Sequence, residues 1–365
     1  MASTTTTSPA TRKENLITLF GGLWLTMGLF IDGYAHANII EETEDFFTPW
    51  HAIFYSGFTF VAMWVGWLLY KRQNARGIRS WIPDGYDWAV VGIVLFAIGG
   101  VSDLIWHTIF GVESDIDALL SPTHMLLLLG LILILAAPAR SALRSDHPQP
   151  WITTFSVIML TSLAAFFTTF ARPISNGWLL ALPYDPPALD EYDEFIALAV
   201  AGALLSTLIL VVATIYLLQR LPSPPAGAIT ALWTVPAVLE AVGLSDYPVT
   251  VLVAAGVGGA VADVSYRQIG GSFRRRLMAS IPVGVGVMWT LWTAINHVFN
   301  EPIRWAPEIW SGLIVMSMFA AFGVILTATP SPTPGAGGGS GDGGRGEIGV
   351  DTPVDTAAPD PTPAG

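Results

Sequence analysis

The apolar residues of this chain fall into long runs separated by short polar segments. A run of about 20 residues can cross ~30 Å of hydrocarbon as an α-helix, and ten runs are candidates for such spans. They cover residues 16–38, 49–70, 86–110, 119–139, 151–171, 195–219, 226–243, 247–266, 277–299 and 306–328. This pattern predicts an all-α integral membrane protein with about ten transmembrane helices arranged in hairpins.

The composition of the 365 residues agrees with a membrane protein. Hydrophobic residues make up 52% of the chain and charged residues only 12%, against roughly 25% charged residues in an average soluble domain. The mean hydropathy is +0.57. An ordinary cytosolic enzyme is therefore excluded. The chain has no cysteine, which excludes disulfides, thiolate metal sites and cysteine nucleophiles. The net charge of -12 argues against a nucleic-acid partner.

The positions of the basic residues predict the orientation. Ten spans place both termini on one side of the membrane, and of the 16 lysines and arginines only Arg172 and Arg304 fall in segments on the other side. Because basic residues accumulate in cytoplasmic loops, we expect both termini of a multi-pass protein of the cytoplasmic membrane to be cytoplasmic. Residues 1–15 and 329–365 are too poor in apolar side chains for a packed core, which predicts disordered tails.

The first four predicted helices, residues 16–140, contain a duplicated motif. One copy reads DGYAHANIIEETEDFFTPWH and the other reads DLIWHTIFGVESDIDALLSPTH, with an offset of 71 residues at the aspartate. Both copies share D-x3-H, a glutamate six residues later, and [ST]-P-x-H. The shared positions are Asp32, His36, Glu42, Thr48, Pro49 and His51 in the first copy, and Asp103, His107, Glu113, Ser121, Pro122 and His124 in the second.

The spacing of the motif predicts a metal site in each hairpin. Residues at i and i+4 lie on one face of a helix, so each D-x3-H presents a carboxylate and an imidazole together. In [ST]-P-x-H the hydroxyl residue suits the N-cap and proline the first helical position, which puts the last histidine in the first turn of the next helix. Each hairpin then offers two imidazoles and one carboxylate near the outer face, a set typical of open transition-metal sites.

The residue types leave the identity of the metal open. Copper, zinc and iron are all chemically admissible for imidazole and carboxylate ligands, and raw affinity favours copper. Glu42 and Glu113 are candidates for groups that orient a histidine ring from outside the ligand set.

These motifs resemble those of a copper-binding membrane subunit of the copper membrane monooxygenases, the family of particulate methane and ammonia monooxygenase. The resemblance covers roughly residues 16–140 and implies that the two Asp, His, His sets bind copper within the membrane. It also implies oxidation of a small apolar or ammonia-like substrate with dioxygen, in an oligomer with other subunits. One of those other subunits carries a cupredoxin domain, which this chain does not encode.

The second half, residues 141–328, is predicted as six helices in which the motif has degenerated. His297 is a possible ligand, the alternative being an interfacial histidine hydrogen-bonded in an outer loop. Glu240 is interpreted as a carboxyl kept neutral by burial, with a proton relay as the alternative. Asp263 lies four residues before Arg267, which predicts a local ion pair.

Three functional hypotheses follow from the sequence. The first is a copper-binding protein in the lipid bilayer that contributes a copper site to a monooxygenase. The second is a cation-coupled or proton-coupled transporter or metal-handling protein, in which the intramembrane acids and histidines titrate or pass a cation along. The third is a structural subunit whose His and Asp sites serve folding alone.

Overall fold

The computed structural model describes residues 7–39, 46–74, 76–111, 115–174, 189–300, 303 and 305–328. In this part of the chain the secondary structure consists of helices, two short 3-10 turns and one isolated bridge. The α-helices are α1 (Arg12–Asn38), α2 (Pro49–Lys71), α3 (Asp87–Phe110), α4 (Asp115–Leu120), α5 (Pro122–Ala142), α6 (Pro150–Phe166), α7 (Leu189–Arg220), α8 (Ala228–Ala241), α9 (Pro248–Gln268), α10 (Phe273–Phe299) and α11 (Pro307–Ala328).

Eight of these helices are long and apolar enough to cross a membrane. The other two predicted spans correspond to α6, with 17 residues, and α8, with 14 residues. At 1.5 Å per residue these two helices are about 25 and 21 Å long, less than the ~30 Å of a hydrocarbon core. The run predicted at 151–171 is shorter as a helix because the chain leaves α6 at Phe167 and forms a 3-10 turn at Thr169–Ala171.

The first four long helices form two antiparallel pairs. In the pair α1–α2, Gly28 lies against the backbone of Phe54 and Gly57 lies against the backbone of Leu25. In the pair α3–α5, Gly130 lies against Phe96. α1 also packs on α5 and α6. One consequence matters for the site: α1 and α3 both end where α2 and α5 begin, and we call this end of the helix bundle the cluster end.

Two hydrophobic cores hold the helices together. One core joins α1, α2, α3, α5 and α6 through side chains such as Leu25, Phe96 and Leu131. The other joins α6 with α7 to α11 and contains the fully buried Trp233 and Trp289. α6 contributes to both cores, which is why its threonines and serines are buried and hydrogen-bonded to carbonyls within the bundle.

The start of α1 differs from the predicted tail of residues 1–15. The helix begins at Arg12 because Thr11 and Glu14 form a reciprocal capping box, which satisfies two backbone N–H groups at the helix N-terminus. The preceding residues are also held, since the backbone N–H of Ala10 donates to Ser141 Oγ at 2.9 Å. Residues 1–6 and the predicted tail at 329–365 lie outside the described residues.

The outward-facing surface of the helices is strongly apolar. Met63 on α2 is 65% exposed and Phe319 on α11 is 70% exposed, and many other large apolar side chains share this exposure. Contiguous exposed apolar surface of this kind has no favourable contact with water. The apolar helices therefore indicate a lipid bilayer as their environment.

Candidate metal centre

The first Asp, His, His set comes together at the cluster end of α1 and α2. Asp32 and His36 lie one turn apart near the end of α1, and His51 lies in the first turn of α2. Each of the three side chains offers a ligand atom, and these atoms all lie within 4.8 Å of one another. The Asp32 Oδ2 to His51 Nε2 distance is 3.5 Å. We call Asp32, His36 and His51 the first cluster.

The second set has a matching arrangement on α3 and α5. Asp103 and His107 lie near the end of α3, His124 lies in the first turn of α5, and their ligand atoms are again within 4.8 Å. The Nε2 atoms of His107 and His124 lie 3.6 and 3.4 Å from the Asp103 carboxylate oxygens. We call these three residues the second cluster.

The helix starts are formed as the motif predicts. Thr48 is the N-cap of α2 and its side chain accepts a hydrogen bond from the backbone N–H of His51, while Pro49 occupies the first helical position. Ser121 caps α5 in the same way, with Pro122 following it and the N–H of His124 as donor. These caps fix the backbone of the last histidine of each motif and explain why it faces the Asp on the neighbouring helix.

Backbone carbonyls orient three of the four imidazoles. Nδ1 of His36 lies 2.9 Å from the Asp32 carbonyl oxygen, and Nδ1 of His51 lies 2.8 Å from that of Phe46. Nδ1 of His107 lies 3.2 Å from the carbonyl oxygen of Gly111, whose φ of 85° suits glycine. Because a carbonyl only accepts hydrogen bonds, Nδ1 is the protonated nitrogen in these rings. Nε2 then carries the lone pair that a metal requires.

The separations within the clusters fit a shared cation. Two ligands that each lie ~2.1 Å from one tetrahedral ion are about 3.4 Å apart, and the three carboxylate to Nε2 distances are 3.4, 3.5 and 3.6 Å. Good N–H···O hydrogen bonds are shorter, at about 2.7–3.2 Å. In addition, Asp32 Oδ1 is buried and has no hydrogen-bond partner among the described residues. A positively charged ion would satisfy this oxygen.

The surroundings of the two carboxylates differ. The hydroxyl of Thr123 donates to Asp103 Oδ1 at 2.7 Å, and the side chain of Asp103 is 1% exposed. The position that matches Thr123 in the first copy is Trp50, and the side chain of Asp32 is 14% exposed. The second cluster therefore has a carboxylate that is already hydrogen-bonded, whereas the first has one with an unused oxygen.

The two clusters adjoin. The ring of Phe46 stacks on His51, with centroids 5.0 Å apart, and lies 6.0 Å from the ring of His107 in the other cluster. The Asp32 carboxylate also interacts electrostatically with Asp103 and His124. Two carboxylates this close in an apolar bundle repel each other, so cations or protons between them are favourable.

The remaining predicted site residues do not join either cluster in the described structure. Glu42 and Glu113 lie outside the described residues. His297 is exposed in the last turn of α10. Glu240 is buried on α8 and forms an ion pair with Arg172, so its interpretation as a lone carboxyl neutralised by burial omits a partner that the structure supplies. The predicted ion pair between Asp263 and Arg267 is confirmed.

Sequence reasoning missed four residues that shape these sites. Thr123 sits within [ST]-P-x-H itself, at the variable position, and Tyr55 lies four residues after His51 on the same face of α2. Phe46 precedes the N-cap of α2 by two residues. Arg172 was conspicuous as one of two basic residues on the predicted outer side, and this was the available signal for a buried acidic partner.

Comparison of the chain with protein-family models, with curated proteins and with solved structures gives no match. The resemblance to a copper monooxygenase therefore rests on the motif residues alone. The chemistry of the two clusters is what the functional proposal uses.

Proposed function

We propose that this chain is a membrane metal protein in which the first and second clusters each hold one transition-metal ion, with copper as the preferred metal. The observation that carries the proposal is the convergence of two imidazoles and one carboxylate, twice, at one end of the helix bundle. Imidazole and carboxylate ligands without sulfur suit copper, and copper has the highest affinity among the divalent metals of the first transition row. Zinc and iron remain chemically admissible.

Burial of the carboxylates supports a bound cation. A charged aspartate at the centre of a membrane helix costs about 2.5–3.5 kcal/mol on insertion scales unless it is paired. The bundle contains two such aspartates in electrostatic contact, and their four histidine neighbours are neutral when Nε2 is unprotonated. A divalent cation at each cluster would offset this cost and would use the unpaired Asp32 Oδ1.

Metal analysis of the purified full-length chain tests the proposal. We expect about two copper equivalents per chain, falling to about one in His51→Ala and in His124→Ala, since each variant removes a ligand from one three-ligand site. His147→Ala and His297→Ala are matched controls outside both clusters and should keep full occupancy. Less than one equivalent of any transition metal, unchanged by the two cluster variants, would contradict the proposal.

We further propose that the chain acts within a copper-dependent monooxygenase of the cytoplasmic membrane, as the motif resemblance implies. Copper bound here would supply one-electron chemistry and dioxygen activation, while the chain positions it through Thr123 and the Phe46 carbonyl. The activity requires a partner protein with a cupredoxin domain. Membranes that contain both chains should oxidise ammonia or a small alkane only in the presence of oxygen, and no oxidation with both chains loaded with copper would contradict this role.

The proposed orientation has both termini in the cytoplasm and the cluster end outside. Because the chain has no cysteine, single cysteines can be introduced without background. A membrane-impermeant thiol reagent added to intact cells should label Phe47→Cys, next to the first cluster, but not Ser145→Cys, between α5 and α6. The opposite labelling pattern would reverse the orientation.

A transporter is the second candidate, and the charged pair of the other half favours it. Arg172 and Glu240 form an ion pair inside the apolar helices, and such groups often mark ion pathways. Arg172 also donates to Ser206 Oγ at 2.9 Å, so the pair is extensively hydrogen-bonded, as a structural pair would be. Metal-coupled or proton-coupled flux in vesicles, without oxygen consumption, would favour transport over the monooxygenase role.

A further inference from the structure

Tyr55 places a polar group beside both clusters that the ligand sets do not use. It lies on α2, four residues after His51, with ring centroids 6.2 Å from His51 and 5.8 Å from Phe46. Its hydroxyl is buried and has no hydrogen-bond partner among the described residues. A buried hydroxyl without a partner costs roughly 1–3 kcal/mol, so this group requires an explanation.

Tyr55 reaches from the first pair of helices to the second. A Cβ added at Gly100 of α3 would lie 2.9 Å from Tyr55 Cε1 and 3.3 Å from its hydroxyl oxygen. Only glycine therefore leaves room for the tyrosine at this crossing. Gly100 lies three residues before Asp103, and the tyrosine interacts electrostatically with both Asp103 and Asp32. The hydroxyl thus lies where the two clusters adjoin.

The duplicated motif shows that the hairpin itself does not need this arrangement. The position that corresponds to Tyr55 in the second copy is Leu128, and the position that corresponds to Gly100 in the first copy is Leu29. The tyrosine and its glycine therefore occur once each, in different copies, and meet across the two pairs. Phenylalanine at position 55 would fill the same space without an unpaired hydroxyl.

We propose that the two clusters share one binding place for a small hydrogen-bond-accepting ligand, a water molecule or a small anion, and that Tyr55 is its hydrogen-bond donor. The inference rests on the proposed function, because the ligand coordinates the metal held by the clusters. Without metal the carboxylates of Asp32 and Asp103 would repel an anion. With a divalent cation in each cluster the net charge of the pair is positive, and an anion is attracted.

Azide binding to the copper-loaded, full-length protein tests this inference. Azide is a small anion that gives a charge-transfer absorption band on Cu(II), so its dissociation constant can be measured by titration without catalytic turnover. Tyr55→Phe should weaken azide binding about tenfold, or about 1.4 kcal/mol, and leave the copper content unchanged. Tyr70→Phe, exposed at the opposite end of α2, is the matched control and should bind azide like the unmodified chain.

Gly100→Ala provides a second variant that keeps the hydroxyl but displaces it. It should also weaken azide binding while copper remains bound. Copper content of the unmodified chain separates the two proposals. If copper binds and azide affinity is the same in Tyr55→Phe and Gly100→Ala as in the unmodified chain, or if azide does not bind to the unmodified chain, the inference is overturned and the metal proposal stands. If copper does not bind, both are overturned.

Discussion

The first and second clusters contain the same three residue types on the same helical framework, yet their carboxylates are in different states. Asp103 is almost fully buried and accepts a hydrogen bond from Thr123 at 2.7 Å. Asp32 is more exposed, has Trp50 in place of that threonine, and keeps a buried oxygen without a partner among the described residues. A fixed carboxylate holds a metal in one geometry, whereas a free oxygen permits changes of coordination. We infer that the second cluster is built for retention and the first for exchange of ligands.

The His orientation supports the same distinction. His51 donates from Nδ1 to the Phe46 carbonyl, which fixes its tautomer. Nδ1 of His124 lies 2.9 Å from the hydroxyl of Ser121, and a hydroxyl can donate or accept. The first cluster therefore has a fixed imidazole and a free carboxylate oxygen, and the second has the reverse. Each cluster leaves a different group adjustable.

The largest effect is expected from removing each carboxylate. Asp103→Ala and Asp32→Ala should each reduce the copper content by about one equivalent, because two imidazoles alone form an incomplete site. Metal analysis of the purified variants measures this. If both equivalents persist in either variant, its aspartate is not a ligand and the comparison between the clusters loses its basis.

A carboxylate outside the clusters should behave differently. Glu240→Gln leaves Arg172 buried beside a neutral partner, and breaking a buried ion pair costs about 3–5 kcal/mol of stability. Thermal unfolding in detergent should occur at a lower temperature while copper content is unchanged. Glu308→Gln, exposed in the first turn of α11, is the control. Loss of copper in folded Glu240→Gln would show that the two halves are coupled.

Removal of the hydroxyl from Thr123 should affect one cluster only. Thr123→Val keeps the shape of the side chain and removes the hydrogen bond to Asp103, and loss of such a supporting contact typically weakens metal binding by about 10–100-fold. The measurement is a copper titration in a His51→Ala background, which isolates the second cluster. The control is Thr327→Val near the end of α11. Equal affinities with and without the Thr123 hydroxyl would refute its role.

The smallest effect is expected from making the first cluster like the second. Trp50→Thr offers a hydroxyl to Asp32 Oδ1 and should tighten copper binding at the first cluster by about threefold to tenfold, the value of one added hydrogen bond. The titration uses a His124→Ala background. Trp50→Val, which has the shape of threonine but no hydroxyl, separates this effect from the loss of the indole. If the valine and threonine variants bind alike, the hydroxyl is not the cause.

The sequence was sufficient for the local features of the site. The apolar runs predicted the helices that carry it, the [ST]-P-x-H motif predicted the caps at Thr48 and Ser121, and the i, i+4 spacing predicted which face of α1 and α3 carries the ligands. These features depend on neighbours within one or two helical turns. Local periodicity is therefore enough to predict them.

Contacts between distant segments were beyond sequence reasoning. The bond from Thr123 to Asp103, the crossing of Tyr55 over Gly100 and the pair of Arg172 with Glu240 each depend on how two helices are aligned along their length. Apolar periodicity identifies the buried face of a helix but not its vertical offset from a neighbour. The short length of α6 was missed for a related reason, because the apolar run continues through the turn after Phe166.

The most direct test of the account is X-ray absorption at the copper edge on the copper-loaded, full-length protein. The account predicts copper bound by imidazole nitrogen and carboxylate oxygen, without sulfur, and a reduced imidazole contribution when His51 or His124 is replaced by alanine. A spectrum without imidazole scattering, or one that is identical in these variants and in the unmodified chain, would contradict the assignment of the two clusters as metal sites.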